Sequence, residues 1–137
     1  MPRAVLLVDD DQNLLYGLAR ALRHQPYLVY TAKSGEEAMW ILKTRAVDVV
    51  VADEQMPGLS GTELLAWVAQ CFPDVMRIVL TGHPSVETAI RAINEGTVFQ
   101  FFTKPCKEMD LAIAIGKAME RRQQARQQRQ PLTTPCP

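Results

Sequence analysis

The sequence of 137 residues predicts a doubly wound α/β fold, in which helices cover both faces of a five-stranded parallel sheet. Two observations predict this fold. Short apolar runs alternate along the chain with longer segments of helical periodicity. Most of these runs are rich in Val, Ile and Leu without a polar alternate, which is typical of strands buried on both faces. The length suits one domain with a hydrophobic core of its own.

The predicted strands are the five apolar runs. They lie at Ala4–Val8, Tyr27–Thr31, Val47–Ala52, Met76–Leu80 and Val98–Phe102. The second run, YLVYT, mixes polar and apolar residues, and this composition suits a strand at the edge of the sheet. A helical segment follows each run, so the crossovers between parallel strands are expected to be right-handed.

The predicted helices are recognised by apolar stripes and by terminal residues. Leu14–Leu22 and Val86–Ile93 each carry apolar residues at helical spacing, and Gly96 suits the C-cap of the second of these helices. The segments Ser34–Glu37 and Ser60–Glu63 match capping boxes, so each is expected to open a helix. A last helix is expected from residue 107 and has an apolar stripe that ends at residue 119.

We expect the domain to occupy residues 1–120, followed by a basic, glutamine-rich extension over residues 121–137 that is poorly ordered at its end. The segment RRQQARQQRQ has no apolar stripe, and PLTTPCP does not continue a helix. Residues 117–130 carry five basic residues and one acidic residue, a net charge of +4. An interdomain linker, a contact surface and a solvated end all fit this segment, and a solvated end is the most common of the three.

The charge balance argues against two classes of partner. Fifteen basic residues balance fifteen acidic ones, so no overall field attracts nucleic acid or a membrane surface. The arginines of the tail lie among glutamines without aromatic residues that would stack on bases, and no direct nucleic-acid binding is expected. The first apolar run is too short for a signal peptide or a membrane span.

The cysteines indicate the compartment. Cys71, Cys106 and Cys136 are odd in number, widely spaced and without a CxxC pair. This pattern suits a reducing environment better than a disulfide framework or a zinc site. The sequence therefore predicts a cytoplasmic protein without structural disulfides.

Polar residues follow four of the predicted strands. Because ligands bind at the carboxyl ends of the strands in an open parallel sheet, we expect these residues to form one site. They are Asp9, Asp10 and Asp11 after the first strand, Asp53 after the third, Thr81 after the fourth and Lys104 after the fifth. Asp11 has a second interpretation as the N-cap of the helix that begins near residue 12.

The residue types indicate the chemistry of this site. Clustered carboxylates resist full ionisation unless a cation is present, and Mg²⁺ prefers oxygen ligands. Lys104 supplies a positive charge and Thr81 a hydroxyl donor, which are the groups that phosphoryl oxygens require. The sequence therefore predicts phosphoryl transfer onto, or off, an aspartate.

The motifs LLVDDD, VVVADEQMPGLSG, IVLTGHP and FFTKPC together resemble the receiver domain of two-component response regulators, over roughly residues 3–120. The resemblance implies a flavodoxin-like (βα)5 sandwich with strand order 2-1-3-4-5. It also implies that Asp53 accepts a phosphoryl group in a reaction that depends on Mg²⁺ or Mn²⁺. Asp9, Asp10, Asp53 and the backbone carbonyl of Gln55 would hold the metal.

The resemblance assigns further roles around the phosphoryl group. Thr81 and Lys104 would hold its oxygens, and a cis peptide bond before Pro105 would aim the lysine inward. The switch aromatic falls on Phe101, which lacks the hydroxyl of the more common tyrosine. Phosphorylation would change a surface formed by the fourth helix, fifth strand and fifth helix of the fold.

Three further residues near the site are of interest. One departs from the common pattern of the family, and two are expected to affect the rate at which the phosphoryl group is hydrolysed. Glu54 is polar where many relatives carry an apolar or aromatic residue. Gln55 and His83, two positions after the acceptor and after Thr81, are expected to tune the rate of hydrolysis. None of these residues removes a group that the chemistry needs.

The resemblance implies a regulatory domain rather than an enzyme, with at most self-phosphorylation and self-dephosphorylation. Its donor would be a histidine kinase or a histidine phosphotransfer protein, and its output an effector domain, a separate partner or a phosphorylation-linked homodimer. The run AIRAINEGTVFQFFTKP is similar to receivers placed ahead of cyclic-di-GMP phosphodiesterase or transcription-activator modules. A fragment of a longer regulator and a stand-alone receiver both fit the sequence.

Two alternative functions also fit parts of the sequence. A haloacid-dehalogenase-like phosphatase also uses an aspartate nucleophile and magnesium, and residues 9–11 match the start of its motif. Gln12 and Asn13 do not continue that motif, and no cap segment is present. A receiver-like interaction module that is never phosphorylated is the second alternative, but the acidic pair, acceptor and lysine are all present here.

Overall fold

The computed structural model describes residues 3–82, 99–104 and 107–128, with the backbone alone over 123–128. Its elements are β1 (Ala4–Val8), α1 (Gln12–Leu22), β2 (Leu28–Ala32), α2 (Gly35–Thr44), β3 (Val49–Asp53), α3 (Gly61–Cys71), β4 (Met76–Thr81), β5 (Gln100–Thr103) and a C-terminal helix (Glu108–Gln128). All strand pairs are parallel, in the order β2-β1-β3-β4-β5. The predicted fold class is confirmed, and β2 lies at an edge as expected. The predicted helix at Val86–Ile93 and its cap Gly96 lie outside the described residues.

The third strand begins and ends later than its apolar run suggests. It covers Val49–Asp53 instead of Val47–Ala52, so the aspartate is part of the strand and pairs with Leu80 of β4. Asp48 lies just before it and accepts a hydrogen bond from the backbone of Ala4 at 2.8 Å. Regular pairing of β3 with β1 and β4 therefore starts only after Asp48, at Val49. Pairing with β4 extends to Asp53, at the carboxyl end of the strand.

The core consists of two layers, one on each face of the sheet. Alternate residues of the central strands point to opposite faces, so Leu6 and Val50 pack toward α2 and α3, whereas Leu7 and Val51 pack toward α1 and the C-terminal helix. All five residues of β1 and of β3 are buried. Burial of each large apolar side chain contributes about 1.5–3 kcal/mol, which makes the two central strands a rigid base for the residues at their ends.

Side-chain caps define where three helices begin. Asp11 Oδ1 accepts from the backbone of Asn13 at 3.1 Å and of Leu14 at 3.2 Å, which confirms its predicted role as N-cap of α1. At α3 the predicted capping box is confirmed, because Ser60 and Glu63 each accept from the backbone of the other. At α2, Ser34 accepts from the backbone of residue 37 at 3.1 Å, and only this half of the predicted box is present in the described structure.

The C-terminal helix continues past the end of its apolar stripe. Its buried face ends at Met119, and the helix runs on to Gln128 without a break at residue 120, where we expect the domain to end. Beyond the stripe, Arg122 donates to Asp48 Oδ1 at 2.7 Å and ties the helix to the start of β3. Neither this helix nor another in the described part of the chain is long and apolar enough to cross a membrane.

One cysteine differs from the expectation. Cys71, the last residue of α3, is disulfide-bonded. Cys106 and Cys136 lie outside the described residues. The prediction of a protein without disulfides is therefore wrong for Cys71, because the spacing of cysteines along a chain does not report how closely the fold brings them together.

Candidate functional site

The carboxyl ends of four neighbouring strands bring the predicted site residues together. Asp9 directly follows β1, Asp53 and Thr81 are the last residues of β3 and β4, and Lys104 directly follows β5. The parallel register aligns these ends, and the backbone N–H of Lys104 donates to the carbonyl of Thr81 at 2.8 Å. Asp9, Asp53 and Thr81 are buried, which is unusual for polar side chains and indicates a specific role for each.

Three carboxylates form the acidic part of the site. Oxygen atoms of Asp9, Asp10 and Asp53 all lie within 4.8 Å of one another. Asp10 is exposed at the rim, whereas Asp9 and Asp53 lie below it. Asp9 Oδ1 accepts from the backbone of Asp11 at 2.9 Å, which fixes the orientation of its carboxylate.

Lys104 bridges the two buried carboxylates. Its Nζ lies 2.9 Å from Asp9 Oδ2 and 3.2 Å from Asp53 Oδ1. Burial acts to lower the pKa of Lys104, but hydrogen bonds and charges from both aspartates outweigh burial and raise this pKa above its ordinary value. The lysine is therefore a fixed positive charge in contact with the proposed acceptor.

Asp53 is held in an environment that disfavours its own charge. Burial is the largest cause that raises the pKa of its carboxyl group, and the negative charge of Asp9 raises it further. Hydrogen bonds from Lys104 and from the backbone of Gln55, together with the lysine's charge, only partly offset these effects. A second positive charge at this carboxylate would therefore stabilise its ionised form.

The carboxylates fit a hard divalent cation. They supply three anionic oxygen donors on one side of the pocket, and Mg²⁺ needs only a few protein ligands because it retains several waters. The exposed position of Asp10 leaves a path from solvent to the cluster. The ligand roles of these residues and of the Gln55 carbonyl stay predictions.

The loop between β3 and α3 contains two contacts that the sequence did not predict. Glu54 accepts from the backbone N–H of Thr62 at 2.9 Å and from the hydroxyl of the same threonine. Gly61 lies so close to the acceptor strand that an added Cβ would be 2.4 Å from the carbonyl oxygen of Asp53. A glycine at the first position of a helix was the only signal in the sequence for the close approach.

The remaining predicted residues lie around this centre. Phe101 is half-buried and packs against the core layer that faces α2 and α3. Pro105, with its predicted cis bond, and His83 lie outside the described residues. The structure therefore brings Asp9, Asp10, Asp53 and Lys104 together, with Thr81 at the neighbouring strand end and Phe101 on the edge strand.

Fold and site together define a class: a doubly wound α/β domain with an acidic, lysine-containing pocket at its strand ends. Residues 5–116 match the family model described as the response regulator receiver domain. The chain belongs to this family and is a phosphoacceptor domain of a two-component system. Its role is regulatory, and receivers of this family interact with histidine kinases and effector domains.

Named relatives agree with this assignment. The chain is 40% identical over 119 residues to the transcriptional regulatory protein GlrR of Escherichia coli K12. The aligned region covers 87% of this chain and 27% of GlrR. The signal receiver domain of an HD domain-containing protein from Pseudomonas fluorescens Pf-5 is 32% identical with a TM-score of 0.85, covering 90% of this chain and 99% of that one. The beryllofluoride-activated NtrC4 receiver domain dimer is 33% identical with a TM-score of 0.81, covering 87% and 98%.

The chain thus spans about a quarter of the length of its curated relative GlrR. The two alternative functions receive no support from these relatives, which are named as regulators or as receiver domains.

Proposed function

We propose that Asp53 accepts a phosphoryl group from a histidine kinase or a histidine phosphotransfer protein, in a reaction that depends on Mg²⁺ or Mn²⁺. The observation that carries this proposal is the position of the Asp53 carboxylate. It is fixed at the end of a fully buried strand, lies 3.2 Å from Lys104 Nζ and shares a pocket with two further carboxylates. A buried aspartate in this environment is typical of a functional site rather than of a structural role, which supports its assignment as the phosphoryl acceptor.

Asp53 acts as the nucleophile. One carboxylate oxygen forms a bond to the phosphorus of the donor, the bond from phosphorus to the donor's nitrogen breaks, and the electron pair leaves with the imidazole. Asp9, Asp10, Asp53 and the carbonyl of Gln55 would hold the metal. When bound, the metal neutralises the crowded negative charge and polarises the phosphoryl oxygens. No side chain of the site needs to act as a general base, because an ionised carboxylate carries no proton to remove.

Lys104 and Thr81 stabilise the transferred group. Lys104 already contacts the acceptor carboxylate, so its ammonium group needs only a small displacement to pair with a phosphoryl oxygen. Thr81 is buried at the neighbouring strand end, and its hydroxyl is of the type that donates to such an oxygen. The acylphosphate that forms on Asp53 therefore meets a cation and a hydroxyl donor on the same rim of the sheet.

The output surface is proposed to include β5 and the C-terminal helix. An open cleft of about 260 Å³ lies between them, and Met109 and Ile113 are exposed large apolar residues on the helix. The cleft is lined by Gln100, Phe102, Asp110, Ile113, Ala114 and Lys117. Phe101, the proposed switch residue, lies on the same strand, and its side chain packs on the opposite face of the sheet, toward α2 and α3. The partner would be an effector domain or a second copy of the chain, in line with the NtrC4 receiver domain dimer.

We place the receiver within residues 1–120 and assign residues 121–137 as the connection to an output partner. A transcriptional effector is supported by the similarity to GlrR, a transcriptional regulatory protein of which the chain spans 27%. Histidine kinase signalling of this type proceeds in the cytoplasm, and we assign the domain to that compartment.

The test of the acceptor is the intact mass after incubation with acetyl phosphate, with and without magnesium, for the natural chain and for Asp53→Asn. We expect one phosphoryl adduct that requires magnesium and is absent from the variant. An adduct that persists in Asp53→Asn would contradict the assignment of the acceptor. Absence of any adduct with acetyl phosphate and with phosphoramidate would favour the receiver-like interaction module.

The metal site is tested in the unphosphorylated protein by calorimetric titration with MgCl₂. Asp10→Ala is expected to abolish magnesium binding and to leave the far-UV circular dichroism unchanged, because Asp10 is exposed and makes no contribution to the core. Magnesium affinity that stays unchanged in Asp10→Ala would overturn the ligand assignment.

A further inference from the structure

The loop from Glu54 to Thr62 is closed at its base by Glu54. The backbone N–H of Glu54 donates to the carbonyl of Leu80 at 2.8 Å, so the residue still belongs to the sheet. Its carbonyl accepts from the N–H of Gly61 at 3.1 Å, and its carboxylate accepts from the N–H and the hydroxyl of Thr62. Three hydrogen bonds from one residue thus connect the strand that carries the acceptor to the first turn of α3.

Glu54 also accepts from two of the four backbone N–H groups at the start of α3 that have no partner within the helix. The first four N–H groups of a helix, counted from the N-cap, have no partner within it. Here the N–H groups of Gly61 and Thr62 bond to Glu54, and the N–H of Glu63 bonds to the side chain of Ser60. A carboxylate is favoured at this position because the N-terminus of a helix carries a partial positive charge.

The start of α3 in turn lies directly against the backbone of the acceptor. A Cβ added to Gly61 would be 2.4 Å from the carbonyl oxygen of Asp53 and 2.9 Å from Cα of Glu54. At this separation the first turn of α3 packs directly on the backbone of Asp53 and Glu54, with no side chain between them. The position of this turn therefore constrains the backbone that carries the acceptor.

From this geometry we infer that Glu54 is a positioning residue for phosphoryl acceptance, and this inference rests on the proposed function of Asp53. Its carboxylate binds Thr62 of α3 and is not part of the cluster formed by Asp9, Asp10 and Asp53. By this contact Glu54 holds the backbone of Asp53 and Gln55 in the arrangement that binds the metal and exposes the acceptor oxygen. The residue that departs from the common pattern of the family thus has a function in this chain, carried out through Thr62.

The test measures magnesium affinity in the unphosphorylated protein and the rate of phosphorylation by acetyl phosphate at saturating magnesium. Glu54→Ala removes both side-chain hydrogen bonds, and we expect magnesium affinity to fall by about tenfold, the usual effect of losing a residue that orients a metal ligand. Glu54→Gln keeps an acceptor for Thr62 and removes only the charge. We expect its affinity to stay within about twofold of the natural chain.

Ser60→Ala is the matched control. It removes the other side-chain cap of α3 and destabilises the same helix, but it leaves the contact between Glu54 and Thr62 intact. We expect Ser60→Ala to lower the midpoint of urea unfolding without a change in magnesium affinity. Should Glu54→Ala fail to fold, Thr62→Val removes one of the two donors and is expected to weaken magnesium binding in the same direction.

The inference is overturned if Glu54→Ala binds magnesium as the natural chain does, if Ser60→Ala loses as much affinity, or if Glu54→Gln loses as much as the alanine variant. A natural chain that binds magnesium but takes up no phosphoryl group would contradict the proposed function, and with it the role of Glu54 in phosphoryl acceptance. Phosphorylation of the natural chain, with unchanged magnesium affinity in Glu54→Ala, would contradict the positioning role alone.

Discussion

Tyr27 has a buried hydroxyl group that finds no hydrogen-bond partner within the described part of the chain. Its ring packs against the core layer that faces α1 and the C-terminal helix. A hydroxyl that loses its water without gaining a partner costs about 1–3 kcal/mol. Burial also raises the pKa of Tyr27 to about 12, because the charged phenolate is disfavoured away from solvent.

We predict that Tyr27→Phe raises the free energy of unfolding by roughly 1 kcal/mol, because it removes the buried hydroxyl and keeps the ring. The measurement is urea unfolding followed by circular dichroism at neutral pH. Tyr16→Phe is the control, since Tyr16 is 62% exposed and its change should stay within about 0.5 kcal/mol. A loss of stability in Tyr27→Phe would reveal a partner for the hydroxyl and would contradict the prediction.

The same side chain gives a prediction for pH. Burial raises the pKa of Tyr27 in the folded state above the value of about 10 that it has in the unfolded chain. Below pH 10 the phenol is protonated in both states, so the folded state keeps its full stability there. Between pH 10 and 12 only the unfolded chain releases this proton, and stability falls as pH rises. We therefore expect the advantage of Tyr27→Phe to be larger at pH 10.5 than at pH 8. An equal advantage at both pH values would argue against the raised pKa.

At the scale of secondary structure, the junction of β3 and α3 determines the site. Ser60 and Glu63 cap the helix on one side, and Glu54 caps it from the strand. Gly61 allows the closest approach of the two elements, because every other residue would place a Cβ against the carbonyl oxygen of Asp53. The capping box alone would start a helix here, but the contacts with the strand decide where that helix lies.

We predict opposite effects for two glycine substitutions in helices. Gly61→Ala should lower the free energy of unfolding by about 1–3 kcal/mol, since its Cβ meets backbone atoms that cannot move without disturbing the acceptor strand. Gly17→Ala should raise it by about 0.5–1 kcal/mol, because nothing lies within 4 Å of its added Cβ and alanine favours the helix. Urea unfolding of both variants checks the pair. A stabilised Gly61→Ala would show that α3 does not pack directly on the backbone of Asp53.

Asp48 connects four elements of the molecule at the end of the sheet opposite to the phosphorylation site. Its carboxylate binds the backbone N–H of Ala4 at 2.8 Å and Arg122 Nη1 at 2.7 Å, while its carbonyl accepts from Met76. The starts of β1, β3 and β4 and the C-terminal helix therefore meet at one residue. The helix is fixed to the domain beyond its apolar stripe, which sets the direction in which the chain continues.

We predict that Arg122→Met lowers the free energy of unfolding by about 2 kcal/mol, because Asp48 loses a charged hydrogen bond in a mostly buried position. Hydrogen exchange over the C-terminal helix should also become faster. Arg121→Met is the control, since the neighbouring arginine is exposed and its loss should cost less than about 0.5 kcal/mol. Equal stability of the two variants would show that the ion pair does not hold the helix.

Much of this structure could be predicted from local pattern. The apolar runs gave all five strands to within about two residues at their ends, which is the usual accuracy of such boundaries. The N-cap Asp11 and the capping box at Ser60 were also found, because caps depend on residues only a few positions apart. The disulfide of Cys71 was not predicted. The contact between Asp48 and Arg122 was not predicted either, because it joins residues 74 positions apart and leaves no periodic signal in the sequence.

The fold class and the set of groups at the strand ends could be inferred from the order of residues alone. Both follow from which residues must be buried and from the shared direction of parallel strands, so the types and order of residues suffice. Which of these groups are in contact depends on the packing of the folded chain. It brought Lys104 to Asp9 across 95 positions and the carboxylate of Glu54 to Thr62 at the start of α3. Such contacts depend on distances of a few ångströms between side chains, and these distances exist only once the sheet and its helices have packed.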